Sequence, residues 1–365
     1  MAVPRHSRFP ARRSTGSAVL LVLVTVLLAS FMLMKFVQRA GTELLADARA
    51  GDRARLRREA YSALETTLAV LADVRAADHA LYSPAQGWDQ PLNYAGYVPD
   101  SGLVVEVGFE DESGRISLPR ADAATLEALF QVAGVDRNQA ERASDALLVW
   151  MHQDYVPPTL ESDPGNYERA AIPHRAAQRP LRSLEELASV AIVRDLLFDD
   201  DGRPNQHLRD FAAAVSLQSF DKVNLNAASP AALAATGFAA GQIDALRNYQ
   251  QATGRVAGKP YFQSLTEASA TLGSAVSPDH FGVEIQVLRI KLTVRDGALE
   301  YHLSAVVAAP GGTVAPAPTA SAKVTPGPEK APVILKKLDY PFKVLELLED
   351  VESEPISPDN SARHD

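Results

Sequence analysis

The sequence has no cysteine and only two tryptophans, Trp88 and Trp150, in 365 residues. No disulfide can brace such a chain, and no thiolate can serve as nucleophile or metal ligand. Stability must therefore come from burying apolar side chains, and 46% of the residues are hydrophobic. Positive charge is also scarce: 36 Lys and Arg stand against 45 Asp and Glu, a net −9. That balance argues against a protein held on nucleic acid by phosphate neutralisation. The eight histidines (His6, His79, His152, His174, His207, His280, His302 and His364) are scattered without metal-ligand spacing. No nucleophile motif, phosphate loop or paired-carboxylate arrangement is present, so catalysis is not expected.

Two further absences define the N-terminal part. No charge interrupts Ser17 to Met34 (SAVLLVLVTVLLASFMLM), and no proline falls between Ser17 and Ala77. The apolar run is near the lower limit for crossing a hydrocarbon core, about 17–25 residues. Arg5, Arg8, Arg12 and Arg13 precede it, which predicts a cytoplasmic N-terminus and an exported remainder. A cleaved secretory signal is the rival reading, but Met32, Met34, Lys35 and Phe36 separate the run from the weak small-residue site at Ala40-Gly41. Leu44, Leu45, Ala48, Leu56, Ala60, Ala63, Leu64, Leu68 and Leu71 continue an apolar stripe at helical spacing. One long helix is predicted over 17–77, membrane-embedded at about 17–37, with its last third packed on a soluble domain.

Beyond the helix, the segment 78–118 reads as the first part of a small antiparallel sheet. Leu103 to Glu110 has strand character, and Arg115 to Leu118 is expected to return beside it after the Asp111-Glu112-Ser113-Gly114 turn. Helical patterns occupy 119–280, including Ala123 to Ala133, Gln139 to Met151 and a short helix capped by Ser183. Strands resume from Phe281, and Asp296-Gly297 between two alternating segments predicts a hairpin within 281–309. Small residues and proline fill 310–333, an extended linker by composition. The 334–365 tail holds one segment with strand or amphipathic-helix character and otherwise reads as dispensable. The fold class is α+β: a long N-terminal transmembrane helix on a small antiparallel sheet, with a large all-helical domain inserted between its strands.

This layout resembles the general secretion pathway protein K family, the minor pseudopilins of type II secretion systems. Gly16-Ser17 ahead of the apolar helix is similar to a prepilin junction. Trp150-Met151-His152-Gln153-Asp154, then Gln178-Arg179-Pro180-Leu181 leading into Ser183-Leu184-Glu185-Glu186-Leu187, resemble family segments, as does Val223-Asn224-Leu225-Asn226-Ala227-Ala228-Ser229. The resemblance implies a pilin-like sheet and cleavage by prepilin peptidase between Gly16 and Ser17, often followed by methylation of the new N-terminus. It also implies that the N-terminal helix meets other minor pseudopilins and the inner-membrane secretion platform. The protein would be a single-pass bacterial inner-membrane protein with its bulk in the periplasm. It would sit at the filament tip, start assembly and support export of folded proteins across the outer membrane. Most pilins carry a glutamate at the fifth mature position; counted from Ser17 that position is Leu21, which suits a tip subunit with no neighbour above to complement.

The resemblance further implies calcium in the loop after the tryptophan, where Asp154, Glu161, Asp163, Asn166 and Glu168 offer oxygens. His152 stands where an aspartate is expected, and the family's Gly-Ala-Glu element is missing. The loop therefore reads as solvated charge, and no cofactor is assigned. Asp199-Asp200-Asp201-Gly202-Arg203-Pro204-Asn205 resembles half an EF-hand but lacks the distal glutamate, and reads as a helix-ending turn.

Residues 222–254 look like the helix-hairpin-helix unit of competence-type DNA receptors, which are also membrane-anchored. A DNA-uptake receptor is thus the alternative function. Its hairpin, Gly237-Phe238-Ala239, lacks the second glycine, and Lys222, Arg247, Arg255 and Lys259 are thinly spread. Asn224 and Asn226 are instead expected to satisfy backbone groups at a helix start while Leu233, Ile243 and Leu246 pack a core.

Overall fold

The structure, a computed structural model, describes residues 15–158, 165–168, 174–251, 259–309 and 341–350. The leader up to Ser14, most of the 153–180 loop's acidic centre, and the 310–333 linker lie outside the described residues. The chain forms two compact units, residues 1–58 and 59–365. Helix α1 (Thr15–Asp78) is one uninterrupted 64-residue element that Gly41 and Gly51 do not break. In the first unit it is free of charge from Ser17 to Met34 and carries charges from Lys35 onward. In the second unit Ala60, Ala63, Leu64, Thr67, Leu68 and Leu71 recur at i, i+3, i+4 spacing and are buried. That face packs on a four-stranded antiparallel sheet.

The path continues through β1 (Val104–Asp111) and β2 (Ile116–Ser117), then helices α2 (Ala123–Val132), α3 (Arg137–Met151), α4 (Ala191–Leu197) and α5 (Gln206–Ala214). It then runs through β3 (Val215–Ser216), β4 (Val223–Asn224), helices α6 (Pro230–Ala235), α7 (Ala240–Gln250) and α8 (Leu265–Leu272), and β5 (Phe281–Gly282). Strands β6 (Val287–Asp296), β7 (Leu299–Ala308) and β8 (Lys343–Glu349) follow. The main sheet has the order β1-β6-β7-β8. Ile290, Leu292 and Val294 of β6, with Tyr301, Leu303 and Ala305 of β7, supply its buried face. The opposite face is ionic: Lys291 pairs with Glu110 at 2.8 Å, and Arg295 with Glu106 at 2.6 Å and Glu300 at 2.7 Å. The predicted hairpin is present, with Asp296 opposite Leu299 and Gly297 at φ 59°. Glycine supplies the positive φ this turn requires.

Four expectations need correction. Arg115 to Leu118 does not return beside β1. Instead β2 pairs in parallel with β3, about a hundred positions along the chain, and β6 takes the place beside β1. The cause is local: Asp111 accepts from Ser113 N at 2.9 Å, tightening a single 3-10 turn. Gly114 then passes so close to the Ala227 carbonyl that a Cβ would collide with it. The chain is thereby led into the insertion, away from the sheet.

The insertion is likewise not all-helical, because the two parallel ladders β2–β3 and β4–β5 stitch it together, and Phe281–Gly282 belongs to the second ladder, not to the main sheet. The segment after Ser183 is a 3-10 helix, Leu184–Ser189, and Ser183 does not cap it. Glu186 reaches back instead, accepting from Arg182 N at 3.1 Å and pairing with Arg179 at 3.1 Å. Finally, the tail is not structureless over 343–349, where it pairs along β7 as β8.

The insertion has its own core, in which Leu126, Leu129, Phe130, Leu147, Leu187, Phe211 and Phe262 are almost fully buried. Phe130 stacks on Phe211 at 4.9 Å. Trp88 is fully buried edge-on against Phe109 of β1 at 4.9 Å, and its Nε1 donates to Gln86 at 3.2 Å.

Candidate functional site

The most exposed apolar surface among the described residues is the first part of α1. Leu20, Leu23, Leu27, Met32 and Phe36 are each more than three-fifths exposed. An 18-residue window here has mean hydropathy 2.5, with none of it buried in the protein. The helix satisfies its own backbone, and Thr25 Oγ1 donates to the Val22 carbonyl at 2.8 Å. At 1.5 Å per residue the charge-free run is about 27 Å long, close to a hydrocarbon core. This is the one helix among the described residues long and apolar enough to cross a membrane.

Charge returns abruptly beyond this run. Lys35 Nζ lies 5.8 Å from the Phe31 ring, and Arg39 pairs with Glu43 at 2.8 Å. Gly16 and Ser17 fall in the first turn of α1, and Leu21 is 66% exposed on it. Chemically, such a surface can enter lipid or pack against other apolar helices. It offers no group for bond-making chemistry.

In the second unit a polar junction fixes the insertion to the sheet. Glu112 is 2% exposed; its Oε1 accepts from Arg289 Nε at 2.6 Å and its Oε2 from Ser216 Oγ at 2.6 Å. Arg115 pairs with Glu110 and lies 3.6 Å from Glu112. Asn224 Nδ2 donates to Asp111 at 2.7 Å and to the Tyr82 carbonyl at 3.3 Å. Asn226 Nδ2 donates to the carbonyls of Phe262 at 2.9 Å and Val283 at 2.8 Å, while its Oδ1 accepts from Phe262 N at 2.7 Å. These asparagines do not serve a helix start, as the sequence suggested. Ser229 caps α6, and the asparagines staple segments far apart in sequence. Only the density of Asn-x-Asn in an otherwise apolar run hinted at this.

Burial pushes the Asp111 carboxyl up to about 6, against the hydrogen bonds from Ser113 and Asn224 that favour its charge. A raised carboxyl binds its proton more tightly folded than unfolded, so it adds stability as pH falls from 6 to 4. Two pK units correspond to at most about 3 kcal/mol. Glu110, held down by Lys291 and Arg115 against its own desolvation, works in the opposite sense. Comparing the wild type with Asp111→Asn isolates the effect. In chemical denaturation, the stability difference should shift toward the wild type between pH 6 and pH 4 and stay flat above 7.

The candidate ion-binding and nucleic-acid residues lie only partly within the described residues. Of the calcium candidates, Glu161 and Asp163 lie outside the described residues, as does the side chain of Asn166. Asp154 is exposed and Glu168 pairs with Arg175 at 3.1 Å. Burial pushes the His152 imidazole down, and Trp150 packs edge-on to Tyr167 at 5.3 Å. Among the described residues no three His, Asp or Glu side chains are arranged to hold a metal. Asp199–Gly202 is a tight turn, closed by Gly202 N to the Asp199 carbonyl at 2.8 Å. The α6–α7 pair does form a hairpin through Gly237 at φ 89°. Of its cations, Lys259 Nζ lies 5.7 Å from the Tyr261 ring, and Arg255 lies outside the described residues.

Residues 109–199 match the family model described as type II secretion system (T2SS), protein K. Over that segment the chain is similar to the type II secretion system protein K family. The matched stretch runs from the end of β1 through α2, α3 and α4, covering the Trp150 segment and the 3-10 helix after Ser183. Members of the protein K family are pseudopilins, structural proteins and not enzymes. The fold is similar to a chain in the crystal structure of the GspK-GspI-GspJ complex from the enterotoxigenic Escherichia coli type 2 secretion system. The TM-score is 0.54 and the identity 14%, over 83% of this chain and 98% of that one. No curated protein matches the chain.

Proposed function

We propose that the protein is a minor pseudopilin at the tip of a type II secretion pseudopilus. It starts filament assembly in the inner membrane and supports export of folded proteins across the outer membrane. The observation that carries this reading is the position of the protein K segment: residues 109–199 begin the insertion in a sheet that lies under an apolar helix. An insertion spanning 112–286 is too bulky for the flank of a thin filament, which favours the tip. Leu21 supports the same place, since a carboxylate in hydrocarbon needs a partner and leucine does not.

In this reading prepilin peptidase cuts between Gly16 and Ser17, and the mature N-terminus is methylated. The basic leader stays cytoplasmic and the second unit is periplasmic. The exposed face from Val19 to Val37 then packs against the helices of two other minor pseudopilins, as the GspI and GspJ of the similar structure suggest, and reaches the inner-membrane platform. Deleting the chain from its host is expected to leave type II substrates in the periplasm, and full-length chain should restore their release to the medium. Unchanged secretion, together with salt-sensitive retention of DNA by the full-length protein, would instead support the DNA-uptake reading.

A further inference from the structure

The tail strand β8 is connected in a way its position does not require. Ala308, the last residue of β7, lies opposite Lys343, the first of β8. Antiparallel neighbours in that register are normally joined by two to five residues. Here residues 309–342 intervene, 34 in all. At about 3.3 Å each they span roughly 110 Å when extended, far more than closing the hairpin needs.

The strand is also lightly held. Val344, Leu347 and Leu348 remain 45%, 41% and 37% exposed although β8 is paired along β7. A register shift interrupts the ladder between Val306 and Val307. Three anchors do most of the seating. Phe342 is buried, Leu345 packs on the cluster of Phe220, Val287, Val306 and Ala308, and Glu346 faces Arg289 at 3.8 Å and Gln218 at 3.1 Å. Tyr61 donates to Glu349 at 2.6 Å, tying the far end to α1. The ladder β1-β6-β7 does not depend on β8 for any of its own pairing.

We propose that β8 is an exchangeable strand, and that the β7 edge it covers is a docking site for an extended segment of a partner protein. The occupant is defined by what β8 now supplies: an aromatic residue, an aliphatic one three positions on, and a carboxylate directly after it. The aromatic residue takes the buried position of Phe342, the aliphatic one packs on the Phe220 cluster and the carboxylate meets Arg289, while main-chain pairing along β7 provides affinity. Until such a segment arrives, the tethered β8 fills the edge and prevents indiscriminate strand pairing. The tether keeps the displaced strand near by, so the site closes again on release.

The absence of cysteine makes the test direct. Ser304 and Leu348 lie opposite each other, so full-length chain carrying Ser304→Cys and Leu348→Cys can be locked by oxidation and released by reduction. A labelled peptide of residues 340–350 is the probe. The reduced protein is expected to take it up saturably, and oxidation should lower uptake at least ~10-fold. A peptide with Phe342→Ser and Leu345→Ser should bind neither form. In the wild-type chain, hydrogen exchange over 343–349 should be at least ~100-fold faster than over β6, because opening is local. Exchange of β8 as slow as that of β6, or uptake indifferent to oxidation, would overturn the proposal.

Discussion

Glu112→Ala is expected to cost about 3 kcal/mol of stability, lowering the unfolding midpoint of the second unit by roughly 6–12 °C. The carboxylate is 3% exposed and holds two groups from distant parts of the chain, Arg289 on β6 and Ser216 on β3. Removing it leaves a guanidinium that is only 21% exposed with Ser304 Oγ at 3.4 Å and the more distant Glu346 carboxylate at 3.8 Å. Most of the loss is the penalty of that unpaired charge, not the worth of the pair. Glu112→Gln should therefore lose about half as much, since the amide oxygen can still accept from Arg289. The double variant Glu112→Ala, Arg289→Met should recover part of the deficit. Thermal or denaturant unfolding of these variants, of Arg289→Met alone and of the wild type reads all three expectations. Additive losses in the double variant would show that the two groups do not act together.

Leu27→Asp is the second change with a large expected effect. Leu27 sits near the middle of the charge-free run and is 65% exposed within this chain. A carboxylate at the centre of a spanning helix costs about 2.5–3.5 kcal/mol, equivalent to a roughly 100-fold loss in membrane partition. It would also place a charge against any apolar neighbouring helix. Membrane fractionation should find the variant largely lost from the inner membrane, while Val98→Asp, at a position 85% exposed in the second unit, should fractionate as wild type. Retention of Leu27→Asp at wild-type levels would show that the apolar face does not lie in lipid.

Local patterns carried most of what the sequence disclosed. The long apolar run and the i, i+3, i+4 stripe made α1 legible, and Asp296-Gly297 between alternating residues made the β6–β7 hairpin legible. Both features are written within a few turns or pairs of the residues that form them. The β2–β3 and β4–β5 ladders were not legible. Each strand is two residues long, and its partner lies some 60 to 100 positions away, so no local periodicity announces it. Ile116-Ser117 looks like a returning strand in sequence, and only the collision that Gly114 avoids with Ala227 shows why it turns elsewhere.

Asn224 and Asn226 do satisfy backbone groups, as the sequence suggests, but those of remote Tyr82, Phe262 and Val283 and not those of a helix start. The sequence around β8 suits strand and helix alike, and the edge of β7 decides the matter. The candidate surface on α1 was readable almost residue by residue, because a continuous apolar run of this length stands out in the sequence without reference to any distant residue. The junction that joins sheet to insertion was not, because its chemistry is distributed over four segments.

The central claim is that α1 remains attached after the basic leader is removed, and it is tested most directly by the mass of the mature N-terminus. Intact-mass and N-terminal peptide spectrometry of protein extracted from the inner membrane should find a chain beginning at Ser17, with or without one added methyl group. Gly16→Leu should block that cut and leave the leader in place. A chain beginning at Met1 in the wild type, or one beginning near Gly41 and recovered free in the periplasm, would contradict the account.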